Sequence, residues 1–132
     1  MTEAVTLLIA VGDGVLADSL RFSLELEGFE VKLCDGYSLL RAANAKELPG
    51  CLVLDHDMFL RMGDGNASYR RLAERGVPIV LMVGELNERV FARAMQAGVT
   101  EVVEKPLFGG VLPDAIRAAL KEHRPSWPVH QP

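Results

Sequence analysis

Three short and almost continuous apolar runs stand out along the chain, at 5–11, 51–54 and 79–83. Runs of this length and composition are typical of strands buried on both faces, as in the middle of a parallel sheet. A fourth segment, 30–34, alternates apolar and polar residues as a strand near a sheet edge does. With a further strand at 99–104, the pattern predicts five strands.

Between these strands the apolar residues recur with the period of a helix. In 15–27, Leu16, Leu20 and Leu24 fall on one face, and Gly28 supplies a stop. Further helices are predicted at 37–45, 66–75, 87–97 and 112–123. Because strands and helices alternate with short connections, we expect one right-handed parallel sheet covered by helices on both faces.

Length and composition agree with one globular domain. The 132 residues are 49% hydrophobic and 24% charged, and no apolar run approaches the roughly 18 residues that cross a bilayer. The first residues lack a secretion signal, and Cys34 and Cys51 are expected to be free thiols in a reducing compartment. We therefore expect a soluble cytoplasmic domain at 1–123 and a proline-rich tail or linker at 124–132. The net charge of −4 argues weakly against direct binding of nucleic acid.

Polar residues follow the predicted strands at one edge of the sheet: Asp13 after the first, Asp55 and Asp57 after the third, Glu85 after the fourth and Lys105 after the fifth. Ligands and chemistry collect at this edge in open parallel sheets. Carboxylates near a lysine suit a hard cation together with a phosphoryl group, and an aspartate can form an acyl phosphate. The plainer alternatives are that Asp55 caps the next segment, or that it forms a structural ion pair with Lys105.

Several motifs together resemble the receiver domain of bacterial two-component response regulators, over about residues 5–122. The motifs are Leu52-Val53-Leu54-Asp55 with Met58 three residues on, Gly28-Phe29, Val77-Pro78-Ile79, Ala94-Met95-Gln96-Ala97-Gly98 and Glu104-Lys105-Pro106. The resemblance implies a flavodoxin-like, doubly wound, five-stranded parallel sheet with five helices. It also implies that Asp55 accepts a phosphoryl group, that Lys105 contacts this group, and that the Lys105-Pro106 bond is cis.

The same resemblance implies a magnesium site and a set of partners. Mg²⁺ would be held by Asp55 and by the backbone carbonyl of Asp57. Asp13 would be a further ligand, as the one acid left of the two that receivers carry after the first strand. The partner would be a sensor histidine kinase or a phosphotransfer protein, with a possible homodimer through the helix from Asn87, the fifth strand and the last helix. No direct contact with nucleic acid or membrane is expected, and no enzymatic activity beyond self-phosphorylation from phosphodonors and self-dephosphorylation.

Some positions depart from the receiver pattern. The two acids that receivers carry after the first strand fall on Val11 and Gly12, with Asp13 one place later. The hydroxyl residue at the end of the fourth strand falls on Val83, and the aromatic switch residue of the fifth falls on Val102. A valine cannot donate a hydrogen bond to a phosphoryl oxygen, and without this pair the usual bistable element is missing.

Two alternative functions remain open besides acceptance of a phosphoryl group at Asp55. The first is a phosphorylation-independent pseudo-receiver that acts as a protein-interaction module. The second, more remote, is a haloacid-dehalogenase-like phosphatase, suggested by Asp55-His56-Asp57, although that motif normally lies on a first strand. We expect strand alternation to point His56 away from Asp55, as a packing or surface residue.

Overall fold

Five parallel strands form one sheet in the order β2-β1-β3-β4-β5. The computed structural model describes residues 4–57 and 68–121, with the side chains of residues 36 and 37 excepted. The elements in chain order are β1 Thr6–Ala10, α1 Gly14–Leu26, β2 Glu30–Leu33, α2 Gly36–Ala43, β3 Cys51–Asp55, α3 Ser68–Glu74, β4 Ile79–Val83, α4 Glu88–Gln96, β5 Glu101–Glu104 and α5 Val111–Lys121. The predicted architecture of five strands and five helices is confirmed.

Some predicted features lie outside the described residues. These are the loop at 59–65 with Met58 before it, the first two residues of the helix predicted from Asn66, the end of the last helix after Lys121, and the tail with Trp127.

Local sequence explains where the helices begin and end. Asp35 accepts a hydrogen bond from the Ser38 amide at 2.8 Å, and Asn87 accepts one from the Val90 amide at 2.9 Å, so both side chains cap a helix start. Gly28, after α1, has a φ of 97°, a left-handed conformation that glycine adopts without strain. These caps place the helix ends within about two residues of the predicted positions.

The fifth strand starts two residues later than predicted. Thr100 precedes β5, and its side-chain oxygen accepts a hydrogen bond from the Ile79 amide at 3.0 Å. Its own amide donates to the Ile79 carbonyl at 2.8 Å. The hydroxyl thus takes the place of a backbone partner, and the regular pairing of β4 with β5 begins at Val80 and Glu101.

The sheet separates two apolar layers. On one face, residues of α1 and α5 pack against it, among them Leu20, Leu24, Leu112 and Ile116. On the other face, α2, α3 and α4 supply Leu39, Tyr69, Leu72 and Ala94. Every residue of β3 and β4 is buried, whereas β2 buries Val31 alone among its four residues, as predicted for an edge strand.

The parallel order places the ends of β1, β3, β4 and β5 along one edge of the sheet, with β3 between β1 and β4. Because the carboxyl end of a central strand is flanked by loops on both sides, side chains there are shielded from water without lying in the apolar core. None of the helices in the described ranges has the length and apolar character needed to span a membrane.

Candidate functional site at the carboxyl edge of the sheet

Asp55 is the last residue of the central strand β3 and is 4% exposed. Successive side chains of a strand point to opposite faces, so Asp55 continues the row of Cys51 and Val53, which lies in the layer with α1 and α5. The strand therefore carries a nearly buried carboxylate to the rim of that layer.

Lys105 provides the positive charge that this carboxylate requires. Its Nζ lies 2.9 Å from Asp55 Oδ1, and the Asp55 side chain is 6% exposed against 29% for that of Lys105. The Lys105 amide donates to the Val83 carbonyl at 2.7 Å, which fixes the lysine backbone to the end of β4. The Lys105-Pro106 bond is cis, as the resemblance implied.

The second oxygen of Asp55 has a partner close by in the chain. Asp55 Oδ2 accepts a hydrogen bond from the Asp57 amide at 3.2 Å, so the carboxylate also serves the short-range capping role considered from the sequence. Asp55 thus makes both contacts that the sequence offered as plainer alternatives, the local cap and the ion pair with Lys105. Neither excludes a phosphoryl site, which needs the same lysine and the same carboxylate within contact distance.

The other predicted acids do not join Asp55 in a cluster. Asp13 caps α1, because its Oδ1 accepts from the amides of Val15 at 2.9 Å and Leu16 at 3.2 Å. Asp57 and Glu85 are exposed. Within the described residues, no group of three or more His, Cys, Asp or Glu side chains is placed to hold a metal ion.

The donors present are nevertheless of the right kind for Mg²⁺. They are a carboxylate at Asp55 and backbone oxygen at Asp57, and Mg²⁺ in proteins commonly uses one or two carboxylates, several waters and the phosphate of a substrate. The set fits an ion that binds together with a phosphate. It is too small for a cage made by the protein alone.

The two predicted switch positions both lie in the apolar layer with α2, α3 and α4. Val83 is fully buried at the end of β4 and Val102 is 8% exposed in β5. Both side chains present methyl groups, so neither offers a hydrogen bond to a ligand at Asp55.

Sequence reasoning did not identify a contact made by Glu104, the last residue of β5. Its Oε2 accepts a hydrogen bond from the Leu86 amide at 2.9 Å, which ties the loop after β4 to the strand that leads into Lys105. The contact joins positions 18 residues apart and depends on the path of the loop, so no sequence pattern announces it.

His56 begins a helical turn after β3 has ended, so strand alternation does not set the direction of its side chain. Burial lowers the pKa of this half-buried imidazole, and Asp57 and Asp55 oppose the shift, whereas Arg93 and Lys105 add to it. A lowered pKa favours the neutral imidazole at neutral pH.

Both cysteines, Cys34 and Cys51, are free thiols. Burial raises the pKa of Cys51 to about 12, and burial with the nearby charge of Asp35 raises the pKa of Cys34 to about 11. Because the thiolate is the nucleophilic form, these thiols are inert at neutral pH, as expected for packing residues.

The comparisons with known proteins assign the chain to a family. Residues 7–117 match the family described as the response regulator receiver domain, so the chain belongs to it. Receiver domains of this kind are signalling domains of two-component systems that interact with histidine kinases or phosphotransfer proteins, and they are generally not enzymes. This assignment replaces the haloacid-dehalogenase-like alternative.

Named relatives agree with the family. The chain is 32% identical over 127 residues to the C4-dicarboxylate transport transcriptional regulatory protein DctD of Pseudomonas aeruginosa, covering 92% of this chain and 27% of DctD. It is 28% identical over 130 residues to the transcriptional regulatory protein FixJ of Bradyrhizobium diazoefficiens, covering 96% of this chain and 62% of FixJ. The chain thus spans about a quarter of the length of DctD and about three fifths of the length of FixJ.

Solved structures share the fold. The crystal structure of FixJ-N superposes with a TM-score of 0.70 at 29% identity, covering 92% of this chain and 96% of FixJ-N. A CheY-like response regulator of Mesorhizobium loti gives a TM-score of 0.71 at 20% identity, covering 89% and 99%. The second likeness supports the fold alone.

Removal of the lysine should cost more stability than removal of the aspartate charge. Lys105→Met leaves a nearly buried carboxylate without a counter-charge, and we expect it to lower the free energy of unfolding by about 2–4 kcal/mol, since one side of the pair faces water. Asp55→Asn leaves a lysine that can reach solvent, so its cost should be smaller. Urea denaturation of both variants, of the double variant and of the exposed control Lys121→Met measures this order.

In that series, the double variant should be more stable than Lys105→Met, and Lys121→Met should match the unmodified chain. Equal stabilities for Lys105→Met and Lys121→Met would show that the ion pair does not neutralise a buried charge.

The capping role of Asp13 predicts a dependence on side-chain type. Asp13→Ala removes the acceptor of two helix amides and should lower the free energy of unfolding by about 1 kcal/mol, whereas Asp13→Asn retains a good cap and should cost little. Thermal or urea unfolding without divalent ions measures both, with Asp18→Ala as the control inside the same helix. A loss in Asp13→Asn as large as in Asp13→Ala would contradict a capping role.

Proposed function

We propose that this receiver domain accepts a phosphoryl group on Asp55 and passes the change on through contacts with other proteins. The observation that supports the proposal most is the 2.9 Å contact between Lys105 Nζ and Asp55 Oδ1. It combines a candidate nucleophile with a cation that can bind phosphoryl oxygens, at the sheet edge where parallel folds carry their chemistry. Membership in the receiver family supports the same reaction.

In the proposed step a carboxylate oxygen of Asp55 attacks the phosphorus of a donor. A bond from this oxygen to phosphorus forms, the bond from phosphorus to the leaving group breaks, and the product is an acyl phosphate. Lys105 keeps its proton and binds a phosphoryl oxygen, which stabilises the negative charge of the transferred group. The Asp57 amide, which donates to Asp55 Oδ2, orients the carboxylate during the attack.

The residues proposed to hold Mg²⁺ are Asp55 and the backbone carbonyl of Asp57, with Asp13 as a further ligand only if it leaves the start of α1. Bound there, Mg²⁺ would neutralise charge on the phosphoryl oxygens. Because Asp13 already accepts two amide hydrogen bonds, recruiting it costs the helix its cap, about 1 kcal/mol. We therefore propose that Mg²⁺ binds weakly and mainly together with the phosphodonor.

Two features of the site oppose a stable acyl phosphate. Val83 lacks the hydroxyl that would donate to a phosphoryl oxygen, and one hydrogen bond to a charged group contributes about 1.5–3 kcal/mol. The exposed carboxylate of Asp57 adds a negative charge nearby, at a cost on the order of 1 kcal/mol. We infer that the phosphorylated form is reached, but at lower occupancy than in a site with a hydroxyl at this position.

The donor in the cell is proposed to be a sensor histidine kinase or a phosphotransfer protein, since receiver domains interact with these partners. We also propose a cytoplasmic location, because response regulators are typically cytoplasmic. If Asp55 accepts no phosphoryl group, the alternative function is that of a protein-interaction module that signals without phosphorylation.

Intact-protein mass spectrometry after incubation with acetyl phosphate tests the proposal. We expect a Mg²⁺-dependent gain of about 80 Da, one phosphoryl group, in the unmodified chain and in the control Asp18→Asn, which changes an exposed acid on α1. Asp55→Asn should show no gain, Asp13→Asn should require more Mg²⁺ if Asp13 is a ligand, and Val83→Thr should raise the occupancy. No gain in the unmodified chain, where another receiver is labelled, would favour the phosphorylation-independent module.

A further inference from the structure

Two hydrogen bonds join the end of β5 to the segment that follows β4. The Lys105 amide donates to the Val83 carbonyl at 2.7 Å, which extends the backbone pairing of the two strands. The Leu86 amide donates to Glu104 Oε2 at 2.9 Å, and this second bond uses a side chain. The chain between Val83 and Leu86 is therefore held at both ends by one dipeptide, Glu104-Lys105.

This dipeptide reaches both sides of the sheet. Val102 of β5 lies in the layer with α2, α3 and α4, whereas Val103 lies in the layer with α1 and α5. Because side chains alternate along a strand, Glu104 extends the row of Val102 and Lys105 extends the row of Val103. Two adjacent residues thus contact the candidate phosphoryl site on one side and the loop after β4 on the other.

Helix α4 starts directly after the contact with Leu86. Asn87, the next residue, caps the helix by accepting a hydrogen bond from the Val90 amide. Of the nine residues of α4, Ala94 alone is buried, and Val90 in the first turn is partly buried. Because the first turn buries no side chain completely, a hydrogen bond just before it has a large effect on where the helix starts.

The pair of Asp55 and Lys105 has more than one state. When Asp55 loses its charge or carries a phosphoryl group, Lys105 Nζ no longer has the carboxylate acceptor at 2.9 Å. Glu104 is one peptide bond from this lysine, with the two Cα atoms about 3.8 Å apart. Val83 and Val102 present methyl groups and form no hydrogen bond. Among the described residues, the side-chain hydrogen bond that joins β5 to the loop after β4 is that of Glu104.

We propose that Glu104 is a positioning residue, which transmits the state of the Asp55–Lys105 pair to the start of α4 through its bond to the Leu86 amide. A change in the acceptor of Lys105 moves the end of β5, and the loop tied to it by Glu104 carries the first turn of α4 along. Such coupling requires a contact that differs between the two states, and the acceptor of Lys105 is that contact. The route rests on the proposed function where the change is a phosphoryl group, but the coupling is testable without one.

Correlation spectra (¹H–¹⁵N) of the 132-residue chain test this coupling, with Asp55→Asn as the change at the site. We expect Asp55→Asn to shift the amides of Leu86 and Val90 in the otherwise unmodified chain. In a Glu104→Ala background the same substitution should leave both amides in place, because the tie between β5 and the loop is gone. In a Glu104→Gln background, where a side-chain oxygen still accepts from the Leu86 amide, the shifts should return.

Glu88→Ala is the matched control, because Glu88 is an exposed acid in the first turn of α4. Its removal takes a negative charge from the helix start without cutting the bond to β5, so the response of Leu86 and Val90 to Asp55→Asn should persist. Far-ultraviolet circular dichroism of each variant checks that the fold is retained, as expected for substitutions of the exposed Glu88 and Glu104.

Phosphorylation provides a second comparison. At an occupancy established by mass after incubation with acetyl phosphate and Mg²⁺, the amides of Leu86 and Val90 should show the same dependence on Glu104. A chain that accepts no phosphoryl group contradicts the proposed function, and the comparison with Asp55→Asn still decides the coupling through Glu104.

Three results would overturn the proposal. Asp55→Asn leaves Leu86 and Val90 unshifted in the otherwise unmodified chain, or it shifts them equally in the Glu104→Ala background. The third is a response that is lost in Glu88→Ala or in Glu104→Gln as completely as in Glu104→Ala, which would assign the effect to local charge rather than to the hydrogen bond.

Discussion

A carboxylate that is almost removed from water needs a counter-charge, and the folded domain supplies it at Asp55 from a residue 50 positions further along the chain. Strands β3 and β5 are not neighbours, since β4 lies between them. The pair therefore forms only when the three strands are in order and register, so that the Lys105 side chain reaches past the end of β4 to Asp55. The hydrogen bond from the Lys105 amide to the Val83 carbonyl continues the pairing of β5 with β4 and holds the lysine backbone there.

Two other acids at the carboxyl edge accept hydrogen bonds from backbone amides. The Asp13 carboxylate caps the start of α1, and the Glu104 carboxylate accepts a hydrogen bond from the Leu86 amide. An acid that caps a helix is not available to a cation unless the cap is given up. In the described part of the edge, the ammonium of Lys105 is the positive charge that pairs with Asp55.

The sequence predicted the fold well because its strands and helices are marked by local patterns. Continuous apolar runs mark β1, β3 and β4, and parallel strands carry their terminal residues to a common edge. Asp55 ends β3 and Lys105 directly follows β5, so the sequence predicted that both lie at this edge without knowledge of side-chain directions.

Other features of the site depend on the directions of side chains and on the path of a loop, which local sequence patterns do not determine. The position of Asp13 suits a helix cap and a metal ligand equally, and its rotamer decides between the two. The direction expected for His56 rested on strand alternation, which does not apply because β3 ends one residue earlier. The contact of Glu104 with the Leu86 amide depends on how the loop after β4 folds back.

The most direct test of this account is a ¹H–¹⁵N correlation spectrum of the chain before and after acetyl phosphate with Mg²⁺, at an occupancy established by mass. If Asp55 is the acceptor and Lys105 its partner, the largest shifts are those of the Asp57 and Lys105 amides, and they are absent in Asp55→Asn. A phosphorylated chain in which these two amides keep their positions, while distant amides move, would contradict it.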